Sequence, residues 1–381
     1  MPKITPAFLH AVALGISLFI QTTSSPLAGA WLPLHLIACG MLLYKNTYPT
    51  QQSDLWRMAL LWLVTIFAAA FIIKPVFNSA YFMWTFTALP LMVVCLREED
   101  LRGYLKGFAI VLFIFVLGID AQKLMGLGQD GRVAWPLLDP NNSAAVINLL
   151  FTPCVYLCIN KKLLGRVLLL PVAFALYATG SKTGIAAAAI SSCLLLTYYY
   201  GPKVLLASLL ASTAGLTSLF YYAPAFIADG CNMINDRLTI WWAGWQILMA
   251  NQVRGVGIGN FDRYMVYEGT TIYLPPAFAH NDILQVAVEM GLPAATVFCG
   301  FIYMVFRTTT PRTLVSACTF LAIMIQASME FQFYLPVITM GTGLLLAYHQ
   351  LKQTPAKAPD IYAGFMEEEY SVGSGDSGVM L

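Results

Sequence analysis

Apolar residues run in stretches of about 20 along most of this chain, separated by short polar connections and without sustained two-residue alternation. In hydrocarbon every backbone N–H and C=O needs a partner within its own element, so only helices or a closed barrel can cross. Continuous runs exclude the barrel's alternating pattern. Twelve membrane spans are expected, at roughly 6–22, 27–44, 55–73, 79–96, 103–119, 143–159, 163–179, 183–200, 203–222, 283–306, 312–329 and 335–350. Pro26, Pro75 and Pro90 blur boundaries, because proline ends or kinks a helix. The fold class expected is all-α, a polytopic helical membrane protein.

Two connections are long, at about 120–142 and 223–282. They divide the chain into an N-terminal bundle of about nine spans (1–222), a large loop (223–282), C-terminal spans (283–350) and a tail (351–381). With the N-terminus placed in the cytoplasm, lysine and arginine divide about two to one in favour of that side. Both long loops then face outward and both termini are cytoplasmic, which in a Gram-negative cell means an inner-membrane protein with periplasmic loops. The start, MPKITPAFLHAVALGISLFI, resembles a signal peptide. Apolar sequence resumes at once, so it reads as a first span. The Gly- and Ser-containing tail with Glu367–Glu369 lacks the apolar residues to fold alone and is expected to be disordered.

Composition narrows the class further. The 381 residues are 59% hydrophobic and 10% charged, with mean hydropathy +0.70. A soluble domain carries about 25% charged residues. A net charge of +2 gives no electrostatic footprint for nucleic acid. Seven of the eight cysteines lie in apolar runs and no C-x-x-C pair occurs, so neither a zinc site nor a disulfide framework is indicated.

Candidate chemistry collects between Arg237 and Gly291. Asn235 or Asp236 is expected to cap a helix from Arg237 to about Ala250. Its apolar face and Trp241, Trp242 and Trp245 suit a helix at the membrane interface. Arg237 would then stand beside unpaired N–H groups, a common way to hold phosphate. In VRGVGIGNFDRY, Gly255, Gly257 and Gly259 alternate, but no βαβ unit surrounds them, so nucleotide binding is rejected. The glycines suit a close backbone approach. Arg254 and Arg263 flank that turn as further anion-binding candidates.

AHNDILQVAVEMG then carries the densest polar signal. Asp282, Gln285 and Glu289 form one stripe on a helix otherwise fit for lipid, and Asn281 precedes it. An ionisable Glu289 two turns into a span demands partners, and the outer arginines are the nearest expected. His280 is the candidate general base or hydrogen-bond donor. Gln326 and Glu330, at the outer end of a later span, are placed in the same cavity.

Two outward turns complete the set. In LLDPNNSAAV, Asn142 or Ser143 is expected to cap the following span. In TGSKTG, Lys182 sits at a helix N-terminus. Two readings stay open there: a lysine extending into water, or a cation that joins the free N–H groups in binding an anion.

An arginine opening a Trp-rich amphipathic helix, the G-x-G-x-G-N-F turn and H-N-x-x-L-Q-x-x-x-E-x-G together resemble the O-antigen ligase and O-antigen polymerase superfamily. DPNNSAA and TGSKTG fall where that family has an Asn-rich turn and a Ser-Arg-Thr-Gly-like turn. The resemblance implies a fold like the lipid-dependent C-type glycosyltransferases. It also implies transfer of a glycan from undecaprenyl diphosphate to an acceptor hydroxyl, with neither nucleotide nor metal cofactor. It casts Arg237 as the diphosphate ligand and His280 as the residue assisting acceptor or leaving group. Lys182 departs from the family's arginine, keeping the charge and losing the bidentate fork.

The expected function is thus an O-antigen ligase or polysaccharide polymerase, its partners a lipid-linked oligosaccharide, a lipid A–core or glycan acceptor, and the bilayer. The alternatives are a protein O-oligosaccharyltransferase, sharing the motif, and a transporter or flippase of lipid-linked sugar, using the same cations without bond making.

Overall fold

The computed structural model of the protein describes residues 53–72, 77–96, 98–128, 131–134, 137, 139–222, 224–264 and 278–353. The spans expected at 6–22 and 27–44, the boundaries at Pro26 and Pro75, and the acidic tail lie outside the described residues. Among the described residues the chain is helical, without β-strands.

Every other expected span falls on a helix: α1 (Asp54–Ile72), α2 (Phe77–Cys95), α3 (Glu98–Leu124), α4 (Pro140–Ile159), α5 (Leu163–Thr179), α6 (Lys182–Tyr200), α7 (Pro202–Tyr222), α10 (Asp282–Arg307), α11 (Leu314–Ala327) and α12 (Pro336–Gln353). Two more helices, α8 (Pro224–Ala250) and α9 (Phe261–Tyr264), occupy the segment between α7 and α10. Pro90 does not end its helix; α2 continues through it to Cys95. Among the described residues four segments are long and apolar enough to cross a membrane, Asp100–Leu124, Pro140–Ile159, Lys182–Tyr200 and Asp282–Arg307. The protein is a helical membrane protein.

The bundle closes because helices distant in sequence share apolar faces. Helix α1 packs against α2 and α10, α12 against α2, and α11 against both α4 and α6. Trp62 of α1 is fully buried, with its ring centroid 5.0 Å from Phe298 of α10 and 6.4 Å from Phe86 of α2. Polar side chains bind helices inside the bundle, as is common where lipid removes the hydrophobic drive for helix association. Asn148 of α4 donates to Gln326 Oε1 of α11 (2.8 Å) and to the Gly184 carbonyl of α6 (3.0 Å). Large side chains such as Leu163, Leu170, Leu206, Leu210 and Tyr303 point outward, as lipid-facing positions should.

Three local structures differ from expectation, each for a readable reason. Helix α4 is capped by Asp139, not Asn142 or Ser143: the Asp139 carboxylate accepts from the Asn141 N–H at 2.7 Å, and Pro140 takes the first helical position, where its missing N–H costs nothing. Helix α8 does not start at Arg237. It starts at Pro224 and runs unbroken through Asn235 and Asp236, so Arg237 lies mid-helix with no free N–H groups beside it. Asn235 lies eleven residues inside this helix, where its backbone carbonyl accepts from Thr239 Oγ1 one turn on.

Helix α10 is the third case. Expected as one continuous span, it breaks at Gly291, which has φ 86° and ψ 169°. Pro293 supplies no N–H just beyond the break, so helix carbonyls are released and need other donors. The Gly255–Gly257 turn supplies them. Val256 N–H donates to the Val288 carbonyl (2.9 Å), Gly257 N–H to the Glu289 carbonyl (2.8 Å), and Leu292 N–H to the Gln252 carbonyl (2.7 Å). A Cβ on Gly255 would lie 2.4 Å from the Glu289 carbonyl oxygen, and one on Gly291 2.3 Å from the Val253 oxygen. The alternating glycines are thus a close-packing device against a broken helix.

Candidate active site

Glu330 stands at the junction of three segments. It follows α11 and precedes a short 3-10 turn (Gln332–Tyr334), and its side chain is 2% exposed. Arg237 Nη2 of α8 donates to Glu330 Oε1 at 2.7 Å. Asn141 Nδ2 of α4 donates to the same oxygen at 2.8 Å, and His280 Nδ1, just before α10, lies 2.9 Å from Oε2. A buried carboxylate is tolerable because it is paired and hydrogen-bonded on both oxygens.

The carboxylate decides the histidine's tautomer. Carboxylate oxygens only accept, so His280 Nδ1 carries the hydrogen and Nε2 keeps the lone pair in the neutral ring. The ring is held from two sides. His280 has φ 51°, a left-handed conformation uncommon for a residue with a Cβ, and its ring meets the Phe331 edge at 5.3 Å. Phe331 stacks on Phe278 at 4.2 Å. The side chains of Arg237 and His280 retain 16% and 19% exposure, so both can meet a ligand.

Arg132 extends the cluster. Its Nε donates to the Thr179 carbonyl (3.0 Å) and its Nη2 to Asn141 Oδ1 (3.1 Å), so one guanidinium ties the end of α5 to the start of α4. It passes against Gly180, the left-handed C-cap of α5. Ser181 follows, accepting from Gly184 N–H at 3.1 Å, with Lys182 as the first residue of α6. The N-terminal ends of α4 and α10 therefore meet at Glu330 with Arg237 and His280, and Arg132 ties them to the turn that leads into Lys182 and α6. Each end carries partial positive charge, so the arrangement is built for a polyanion. Asp139, at the α4 cap, has its carboxyl raised from the ordinary value by burial, against the bonds it accepts from Asn141 and Asn142.

The polar stripe on α10 has other partners. Asp282 accepts from Phe333 N–H at 3.0 Å, and Gln285 Oε1 accepts from Ala279 N–H. Gln285 Nε2 donates to Glu289 Oε1 at 2.8 Å, and the Tyr334 hydroxyl donates to Glu289 Oε2. The stripe is fully buried and bonded to backbone and neutral groups, whereas the arginine expected there pairs with Glu330. Asn281 caps α10, accepting from Leu284 N–H at 3.0 Å. Asn142 is buried, and its Oδ1 has no hydrogen-bond partner.

Arg254 and Arg263 are exposed and are not brought to Glu330. Arg254 lies beside the Gly291 break, roughly 14 Å along α10 from Asp282 at 1.5 Å per residue. Arg132 and Asn141 were not singled out by sequence reasoning as site residues. The signal for Asn141 was present in the Asp-Pro-Asn-Asn turn, which presents it once Asp139 rather than Asn142 is recognised as the cap; Arg132, seven residues before that turn, carried none.

A carboxylate-held histidine beside arginines and helix entrances can exchange a proton and attract an anion. The O-antigen ligase family model matches residues 167–299, from within α5 to within α10, so this segment, about a third of the chain, is similar to that family. No curated protein matches the chain. Glu330, Asn141 and Arg132 lie outside the matched segment and reach the site only through the fold.

Proposed function

We propose that the protein transfers a glycan from undecaprenyl diphosphate to an acceptor hydroxyl, at the outer face of the cytoplasmic membrane. The family gives the coarse activity, an O-antigen ligase-like glycosyltransferase. The observation that carries the finer reading is the shared carboxylate of Glu330, which holds His280 and Arg237 on its two oxygens.

In this reading the acceptor hydroxyl gives its proton to His280 Nε2 as its oxygen forms a bond to the anomeric carbon. The bond from that carbon to the diphosphate oxygen breaks, and the electron pair leaves on the diphosphate. Arg237, Lys182 and the converging helix ends stabilise the growing negative charge, where preorganised donors in a poorly solvated site act most strongly. In-line displacement inverts the anomeric centre. Glu330 steadies the imidazolium that forms, the role a carboxylate serves beside histidine in acyl-transfer triads. No step calls for a metal or nucleotide.

The transporter alternative needs charges distributed along a path through the membrane. Between α4, α6 and α11 the buried polar residues Asn148, Gln326, Thr152 and Ser191 are uncharged and bonded across helices. The buried carboxyl groups of α10, Asp282 and Glu289, bond to the strap and turn beside His280 and Glu330, which favours chemistry at that end. Complementation of a deletion strain tests the reading. Arg237→Ala and His280→Ala should each insert normally and leave the surface glycan unrestored; full restoration by both would sink it. The same strain separates acceptors. Loss of all long chains on lipid A marks a ligase, a core bearing one repeat unit marks a polymerase, and unglycosylated protein with unchanged lipid marks the third acceptor.

A further inference from the structure

Glu289 is fully buried, and everything around it gives it hydrogen bonds. Gln285 Nε2 and the Tyr334 hydroxyl donate to its two side-chain oxygens, and its backbone carbonyl accepts from Gly257 N–H at 2.8 Å. One donor on each side-chain oxygen fits a group that only accepts, and a carboxylate is the side chain that does so.

The two side-chain donors lead to opposite halves of the site. Gln285, with its amide NH2 engaged by Glu289, must turn its Oε1 the other way, and that oxygen accepts from Ala279 N–H. Ala279 immediately precedes His280, the residue held at φ 51°. Tyr334 closes the 3-10 turn that follows Glu330 and Phe331, and its ring meets Phe278 at 5.1 Å. The backbone carbonyl of the same residue holds Gly257, in the loop that leads to Phe261, which is fully buried against Gly244 of α8, two turns beyond Arg237.

We propose that Glu289 is a positioning residue for the His280–Glu330 pair: its one buried carboxylate fixes both the strap carrying His280 and the turn carrying Glu330. The proposal rests on the reading of His280 as the proton acceptor in transfer. It gives Glu289 a role apart from substrate binding, which the stripe alone had suggested.

The chemistry of the amide makes a specific test. In Glu289→Gln an NH2 group replaces one acceptor oxygen at nearly constant shape. If that NH2 faces Gln285, the Gln285 amide must turn over, and its own NH2 then opposes Ala279 N–H. If it faces Tyr334, the hydroxyl loses its acceptor. Release of undecaprenyl diphosphate from an undecaprenyl-diphosphate-linked saccharide, per folded protein in detergent, should fall in kcat by about 100-fold, the scale of a small misplacement of catalytic groups. The KM for that donor should stay unchanged. Gln285→Glu added to Glu289→Gln restores an acceptor toward Ala279 and another toward the new amide, and should recover most of kcat. Ring 15N signals of His280 should shift in Glu289→Gln, while those of His349, bonded to Ser316 at the far end of α12, should not.

Wild-type kcat in Glu289→Gln, or a raised donor KM with unchanged kcat, overturns the positioning role. If His280→Ala is inactive while Glu289→Gln is unaffected, the positioning proposal alone fails. If His280→Ala transfers glycan normally, the site reading fails and the proposal with it.

Discussion

His280 Nδ1 and Glu330 Oε2 lie 2.9 Å apart although 50 residues separate them in the chain. The contact turns a histidine at a helix entrance into one with a fixed tautomer, and it shares its carboxylate with Arg237. Breaking it in the least disruptive way is informative. Glu330→Gln keeps the shape, but its amide NH2 opposes either His280 Nδ1–H or the donors on Oε1. Transfer should fall by at least about 100-fold, the lower range for loss of one preorganised electrostatic partner. Glu330→Ala should also destabilise the fold by about 3–5 kcal/mol, because it strands the buried side of Arg237. Thermal unfolding in detergent separates the two effects.

Arg237→Lys tests geometry against charge. Lysine keeps the cation but cannot bond Glu330 and a diphosphate oxygen with one rigid fork. Donor affinity should weaken about tenfold, as for loss of one interaction of roughly 1.4 kcal/mol. Titration of donor binding to the His280→Ala background, where turnover is blocked, measures it without interference from chemistry.

Arg132 acts one residue further out, through Asn141. Arg132→Gln should lower transfer less than Arg237→Ala does, while Asn141→Asp, which sets a second carboxylate against Glu330, should be more damaging than Asn141→Ala. Initial rates of the four variants give the order directly. Equal rates for Asn141→Asp and wild type would remove Asn141 from the site.

The broken helix makes a stability prediction. Gly291→Ala sets a Cβ 2.3 Å from a backbone oxygen at φ 86° and should cost at least about 2 kcal/mol. Gly215→Ala, inside α7 with nothing within 4 Å of its Cβ, should instead stabilise by about 0.5–1 kcal/mol. Unfolding midpoints in detergent should therefore move in opposite directions.

These geometries show which features a single chain displays and which it conceals. Long apolar runs locate helices because lipid permits little else, and α5 and α7 lie within a residue of expectation. The start of α8 was hidden, since Asn235-Asp236 has cap chemistry and only the preceding Pro224 turn shows that the helix has already begun. The Gly291 break was hidden for a related reason: its partner is a loop some 35 residues earlier, and hydropathy does not see a carbonyl released to a distant N–H. His280, Arg237 and the stripe were legible as polar residues that a membrane helix must account for. Their pairing was not. Charge alone matched Glu289 to an arginine, whereas packing gave the arginine to Glu330 and surrounded Glu289 with neutral donors.

The central claim is that His280, oriented by Glu330, accepts the acceptor's proton while the cationic helix ends hold the leaving diphosphate. The most direct measurement is a single-turnover reaction of purified protein with a radiolabelled undecaprenyl-diphosphate-linked saccharide, comparing wild type with His280→Ala. The account predicts that both bind the donor equally, and that wild type alone releases undecaprenyl diphosphate and forms a product of inverted anomeric configuration. Equal release by His280→Ala, or retained configuration in the wild-type product, would contradict it.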